Sequence, residues 1–281
     1  MINEPASGKS VVRLFAIDVD GTLLDSSHRL KTVVRDAVCR LSASGVQLVL
    51  ATARGPQAVR DLVRQFDFSP WLIGFSGAWI GELDSGSLEP KNVRSDERIA
   101  AALARLILST AISNHVEPNV FTPESWRVRT MTPEILEECA IVNLEPIQNG
   151  ELMTMEEPPS KIMLISRLDQ IGALKQIQES VRGVATGTFS KPNYLEILPA
   201  GVNKARALTK VAAAFGLELS EVAAIGDGPN DLEMLNEVGF AIAMGNASDR
   251  VKSAANLVVN TNDNAGVAEA VDTILNRNRQ G

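Results

Sequence analysis

The 281-residue sequence predicts an α/β protein: a doubly wound parallel-sheet core with a second, α+β unit inserted into it. Three observations carry that expectation. Both ends of the chain alternate short, wholly apolar runs with amphipathic stretches of helical period. The apolar runs ("VVRLFAI", "VQLVLAT", "EVAAIGD", "FAIAMG") are continuous rather than alternating, as in strands covered on both faces. The middle of the chain breaks this rhythm with short, adjacent strand candidates suited to antiparallel pairing.

The elements follow in order. After the strand at 11–17, Val33, Val34, Ala37, Val38 and Leu41 recur at helical spacing over 30–43, and Gly45 stops that helix. A second strand at 46–52 leads to a helix over 55–66, with Pro56 in its first turn and Val59, Leu62, Val63 and Phe66 on one face. A third apolar segment covers 71–80. Near the C-terminus, a helix over 203–215 buries Leu208, Val211, Ala212 and Phe215. Strand and helix then alternate to a last helix with Val267, Val271, Ile274 and Leu275 inward. Between these ends, a long helix over 95–113 is followed by "WRVRT", a helix near 133–141, "GELMTM", the strand "KIMLISR", a helix over 169–181 and "YLEILP". The breaks "SGSLEP", "EEPPS" and "SKPN" mark loops. The expected division is 1–84 and 193–281 for the core, of the Rossmann-like doubly wound type, and 85–192 for the insertion.

Composition narrows the function. Apolar residues make up 45% and charged residues 22% of the chain, the balance of a globular protein with a substantial core. A net charge of −7 argues against a generic nucleic-acid or anionic-membrane binder. No run approaches the roughly 20 apolar residues of a membrane span, and "MINEPASGKSVVR" lacks the layout of a secretory signal. Cys39 and Cys139 stand far apart and read as reduced thiols of a cytoplasmic protein. With only His28 and His115, a histidine metal site is not expected.

Ligands of parallel α/β sheets collect beyond the carboxyl ends of the strands. There the first strand delivers Asp18-Val19-Asp20-Gly21-Thr22 and the second Thr52-Ala53-Arg54; "GDGPND" delivers Asp227, Asn230 and Asp231, and a further glycine turn reaches Asn246. Carboxylates converging on one edge need a positive partner, and a hard dication such as Mg²⁺ suits an all-oxygen set. Lys204 stands at a helix start, where a cation is unfavourable unless an anion binds beside it; Thr52 offers the same anion a hydroxyl. Competing motifs fail. An EF-hand reading of 18–29 puts Leu23 at its glycine and Arg29 at its terminal glutamate. "SGKS" has no preceding strand and Asn3 at the leading glycine, and "GDGPND" has Asp231 in place of a dinucleotide fingerprint's third glycine.

"DVDGTLL", "LATAR", "GVNKARAL" and "GDGPNDLEML", in this order, resemble the four motifs of the haloacid dehalogenase superfamily of phosphotransferases. "AIAMGNA" and "NTNDNAGVAEAV" resemble its Cof-type sugar-phosphatase subgroup, which carries a large α/β cap between the second and third motifs. The resemblance implies a Mg²⁺-dependent phosphatase acting on a small phosphorylated metabolite. In that reading Asp18 is the nucleophile and Asp20 the general acid and base. Thr52, Ala53, Lys204 and Asn230 surround the phosphoryl group, and Asp18, Asp20, Asp227 and Asp231 make up the metal site. Two positions depart from the family: Ala53 stands for the usual glycine and Ser76 for the usual asparagine. Adjacent anions are expected to raise the pKa of Asp20 so that it can donate a proton. A phosphomutase on the same scaffold and a non-catalytic phosphate sensor are the alternatives. Phe121, Trp126 and Tyr194 are candidates for substrate contact or for packing within the cap.

Overall fold

The structure is a computed structural model and describes residues 10–148, 150, 152–154 and 157–280. Residues 1–9, which hold most of the segment read against a secretory signal and a P-loop, lie outside the described residues. Strands β1 (Leu14–Ile17), β2 (Gln47–Ala51), β3 (Trp71–Gly74), β4 (Trp79–Leu83) and β5 (Pro90–Asp96) precede an inserted unit. Strands β6 (Glu117–Phe121), β7 (Trp126–Val128), β8 (Ile147–Gln148), β9 (Lys161–Ile165), β10 (Ala185–Lys191) and β11 (Tyr194–Pro199) belong to that unit. β12 (Val222–Gly226), β13 (Phe240–Ala243) and β14 (Leu257–Val258) return to the core. The eight-stranded core sheet runs β14-β13-β12-β1-β2-β3-β4-β5, and the six-stranded sheet runs β10-β11-β9-β6-β7-β8.

β1 explains why its apolar run is continuous. It pairs in parallel with β2 on one side and β12 on the other. Phe15 and Ile17 enter one hydrophobic layer, with Leu14 and Ala16 entering the opposite one. Helices α1 (Thr32–Ala43) and α9 (Gly266–Gln280) cover the first face through Val34, Val38, Leu41, Val267, Val271 and Ile274. A short α2 (Arg60–Val63) follows a 3₁₀ turn at Gln57–Val59. In the inserted unit, α3 (Ala101–Ser113) and α5 (Ile171–Ser180) pack on one face of the smaller sheet, and Ile135 of α4 (Pro133–Val142) packs on the other. Helices α6 (Lys204–Ala214), α7 (Leu232–Glu237) and α8 (Asp249–Ser253) cover the second face of the core sheet.

Four expectations change. The segment at 71–80 is a hairpin rather than one strand, because Phe75, Ser76 and Gly77 all have positive φ and reverse the chain into antiparallel β4. The helix expected from 95 starts at Ala101; Ser95 and Asp96 are claimed by β5, which pairs with β4 at Ile80 and Trp79. The chain therefore leaves the core sheet after Asp96 rather than at 84. It leaves the smaller sheet after Pro199 rather than at 192, since "YLEILP" pairs with β9 and β10. Leu152–Thr154 of "GELMTM" forms a 3₁₀ turn, and no helix among the described residues is long and apolar enough to cross a membrane.

Phe15 is fully buried in the central strand. Phe15→Ala is expected to cost about 3–5 kcal/mol of stability, read as a shifted midpoint in urea unfolding.

Candidate active site

The core strands run outward from β1 in two directions, towards β3 and towards β14, so the sheet reverses its order between β1 and β12. Crevices at such a reversal are where open α/β sheets bind ligands. Asp18 leaves the end of β1 and Asp227 the end of β12, and the Asp18 amide still bonds the Ile225 carbonyl at 3.0 Å. Beyond Asp18 the backbone makes a wide turn, with Leu23 N–H on Asp18 O and Leu24 N–H on Val19 O. Gly21 takes φ +81° in this turn, and a Cβ there would stand 2.5 Å from Asp227 Oδ2.

The centre is a buried charge triad. Lys204 Nζ, on a residue only 1% exposed, donates to Asp18 Oδ1 at 2.6 Å and to Asp231 Oδ1 at 2.7 Å. The second oxygen of Asp231 accepts from the amides of Asp227 (3.2 Å) and Gly228 (3.0 Å), tying the triad to the end of β12. Burial and the neighbouring Asp231 push Asp18 well above the usual carboxylate range, outweighing the opposing pull of Lys204. Burial also works against the Lys204 ammonium, but Asp18 and Asp231 together hold its pKa above that of an ordinary lysine. Asp227 is raised by burial and by Asp231, although Thr22 Oγ1 donates to it at 3.1 Å.

Asp18, Asp227 and Asp231 each offer a carboxylate oxygen, all within 4.8 Å of one another. When ionised, these three carboxylates beside one ammonium leave two negative charges. The donor set is all oxygen and suits a divalent cation. Asp231 fits better as an orienting group than as a ligand, because both its oxygens already accept hydrogen bonds.

Asp20 differs from expectation. Burial raises it, but Arg54 more than offsets this, through Nε to Oδ2 at 2.8 Å and Nη2 to Oδ1 at 2.5 Å. His28 Nδ1, 3.5 Å away, adds to the effect. The carboxyl is held below its ordinary value, so the expected elevation by neighbouring anions is corrected: a paired guanidinium is closer than the other carboxylates. Thr52 is buried, and its hydroxyl accepts from the Arg54 amide at 3.1 Å. The end of β3 curls back onto this loop, with Ser76 N–H on Thr52 O and Phe75 N–H on Arg54 O. Phe75 fills the space above Gly55, where a Cβ would meet its ring at 2.2 Å.

Seven of the eight residues that the family resemblance assigns to the phosphoryl and metal sites (Asp18, Asp20, Thr52, Ala53, Lys204, Asp227 and Asn230) line one cavity of about 1040 Å³ between core and insertion. Asp231 lies behind them, fully buried. Asn246 braces the turn from outside, donating to Gly21 O at 2.8 Å. Phe121, Trp126 and Tyr194 reach the cavity wall from the cap, and Trp126 and Tyr194 are also packed in its core. Sequence reasoning missed Arg54 as the partner of Asp20, although a cation two residues after Thr52 was a usable signal. It also missed Lys161 and Glu196, cap residues on the cavity wall that no spacing connects to the motifs.

A buried lysine–carboxylate centre thus lies at the reversal of a doubly wound sheet, roofed by an inserted unit. The chain belongs to the haloacid dehalogenase-like hydrolases, whose family pattern matches residues 15–271, and it is a phosphoric monoester hydrolase. It is 29% identical over 245 residues to the HMP-PP phosphatase of Yersinia pseudotuberculosis, covering 85% of this chain and 86% of that protein. The crystal structure of a haloacid dehalogenase-like hydrolase from Bacteroides thetaiotaomicron superposes with a TM-score of 0.86 at 26% identity, covering 94% of this chain and 99% of the other. The subclass IIB sugar phosphatase BT4131 shares the fold, with a TM-score of 0.76 at 21% identity over 93% of this chain and 98% of its own.

Gly21→Ala would force a strained φ and push Asp227 aside. Phosphate release from phenyl phosphate is expected to fall about 10²-fold, the scale of a displacement of roughly 1 Å in a catalytic site.

Proposed function

We propose that this enzyme hydrolyses a small phosphorylated metabolite, with a sugar phosphate as the favoured class, by passing the phosphoryl group first to Asp18 and then to water. The observation that carries the reading is the Asp18 carboxylate, held by Lys204 at 2.6 Å on the wall of a cavity far larger than a phosphate ion. The names of the Yersinia relative and of the sugar phosphatase with the same fold support the substrate class. Mg²⁺ is the metal proposed. Asp18, Asp20 and Asp227 would hold it, with Asp231 and Asn230 supporting them, and when bound it neutralises the carboxylates and the phosphoryl oxygens.

The protein's own groups divide the remaining work. Burial and Asp231 raise Asp18, so its ionised, nucleophilic form would depend on the cation held beside it. Once ionised it needs no base to activate it, but it must approach a phosphate dianion. Two like charges about 4 Å apart repel by about 4 kcal/mol at an effective dielectric near 20. The Lys204 ammonium, fixed before substrate enters, offsets part of that repulsion and stabilises charge on the transferring group. Thr52 and Ala53 border the same end of the cavity, where a hydroxyl and a backbone amide suit phosphoryl oxygens. Asp20 supplies the proton to the leaving oxygen and later takes one from the attacking water. For that, Arg54 must loosen its grip; a dianion entering beside the guanidinium competes for it, and Asp20 then rises towards the donating range.

Two measurements test the reading. Asp18→Asn is expected to lower phosphate release from phenyl phosphate on the order of 10³-fold or more, and EDTA to do the same to the unaltered enzyme. Parental turnover in the variant would remove Asp18 as nucleophile. The second measurement rests on stability. A carboxyl whose folded pKa lies above its unfolded value costs stability as pH rises past the unfolded value, and burial places Asp227 in that class. Metal-free enzyme is therefore expected to lose stability as pH climbs from about 3.8 through the raised folded value, and Asp227→Asn to melt higher than the parent at pH 7. Added Mg²⁺ at about 100 times its dissociation constant stabilises the parent by about 2.7 kcal/mol and the variant by less, read by thermal melting.

A further inference from the structure

Lys161 begins β9 in the cap, yet its ammonium reaches the core. Nζ donates to the Ala53 carbonyl at 3.0 Å and to Glu196 Oε2, on neighbouring β11, at 3.2 Å. Both side chains are nearly enclosed, at 7% and 12% exposure, and both line the cavity that holds Asp18 and Lys204. A buried ion pair stabilises a fold little better than apolar packing of the same size. At a cavity wall it does something that apolar packing cannot: it sets a donor beside an acceptor.

The valences are incomplete in a telling way. An ammonium carries three N–H donors, and oxygen acceptors among the described residues take two of them. Glu196 Oε1 receives no hydrogen bond from a described residue. A hydroxyl satisfies both, accepting from Lys161 and donating to Glu196. The tether to Ala53 puts this pair against the loop that carries Thr52, on the wall of the cavity that also holds Asp18 and Lys204. Phe121, whose ring centre lies 4.8 Å from Nζ and which stacks on Trp126, gives the carbon skeleton an apolar face.

We propose that Lys161 and Glu196 determine specificity by reading a hydroxyl on the carbon next to the phosphoester, so that the enzyme selects phosphates of vicinal diols and polyols. This rests on the phosphatase reading above.

The test compares glycerol 3-phosphate, which carries the neighbouring hydroxyl, with propyl phosphate, which lacks it, and with phenyl phosphate as reference. The unaltered enzyme is expected to favour glycerol 3-phosphate over propyl phosphate by about 10–100-fold in kcat/KM, the scale of one hydrogen bond to a charged group. In Lys161→Met that ratio is expected to collapse to within about threefold. Glu196→Gln keeps an amide of the same shape at the pair and is expected to lower the ratio by about three- to tenfold, mainly through KM for glycerol 3-phosphate. The proposal is overturned if the unaltered enzyme hydrolyses phenyl phosphate yet shows no preference between the two alkyl phosphates. It is also overturned if both variants lose all three substrates in equal proportion, which would make Lys161 a support for the Ala53 loop alone. Failure of the unaltered enzyme to hydrolyse any of the three would bring down the phosphatase reading and this proposal together.

Discussion

The ammonium of Lys204, buried between Asp18 and Asp231 at the edge of the cavity, constrains the segments around it. Leaving either carboxylate unpaired there would be costly, so the ends of β1 and β12 and the start of α6 must meet within the length of one lysine side chain. Backbone crowding at that meeting point explains its glycines. A Cβ at Gly226 would stand 2.4 Å from Asp231 Cγ, and one at Gly77 would stand 2.4 Å from the Asn203 carbonyl at the foot of α6. Gly21 yields in the same way to Asp227. These close approaches bring three charged segments together with no bulk between them.

The centre remains over-charged even so. One ammonium cannot neutralise three carboxylates, and Asp18 and Asp227 are raised, first by burial and then by the neighbouring Asp231. Asp20, two residues beyond Asp18, escapes that rise because its side chain turns to Arg54 and His28 instead. Two identical carboxyl groups two positions apart thus sit in opposite electrostatic settings. Those settings run opposite to what the proposed roles require, an ionised Asp18 and a protonated Asp20, so the roles depend on a cation beside Asp18 and on the release of Asp20 by Arg54.

The two departures from the family pattern acquire different meanings. Ala53 is not in the left-handed region, so its methyl costs no backbone strain, and its carbonyl serves as the acceptor for Lys161 of the cap. Ser76 does take a left-handed conformation, φ +52° after Phe75 at φ +48°, a cost of about 1–2 kcal/mol for an ordinary residue. The hydrogen bond from its amide to Thr52 and the packing of Phe75 over Gly55 hold that strain in place beside the candidate phosphate loop.

Apolar runs and helical periodicity determined the parallel core from sequence alone, because a strand buried on both faces and a helix buried on one each write their environment into every residue. The motif order likewise marked Asp18, Asp20, Thr52, Lys204 and Asp227 for one sheet edge, since strand ends in such a sheet have little choice of where to point. Tertiary structure decided what depends on partners distant in the chain. Ser95 and Asp96 joined a strand because the edge of β4 was there to pair with, and Tyr194–Pro199 joined the cap because β9 was. The charge state of Asp20 followed from Arg54, 34 positions away, and the wall of the cavity from Lys161 meeting Ala53 across 108. Local propensity carries no record of such contacts; they exist only once the sheets have closed on each other.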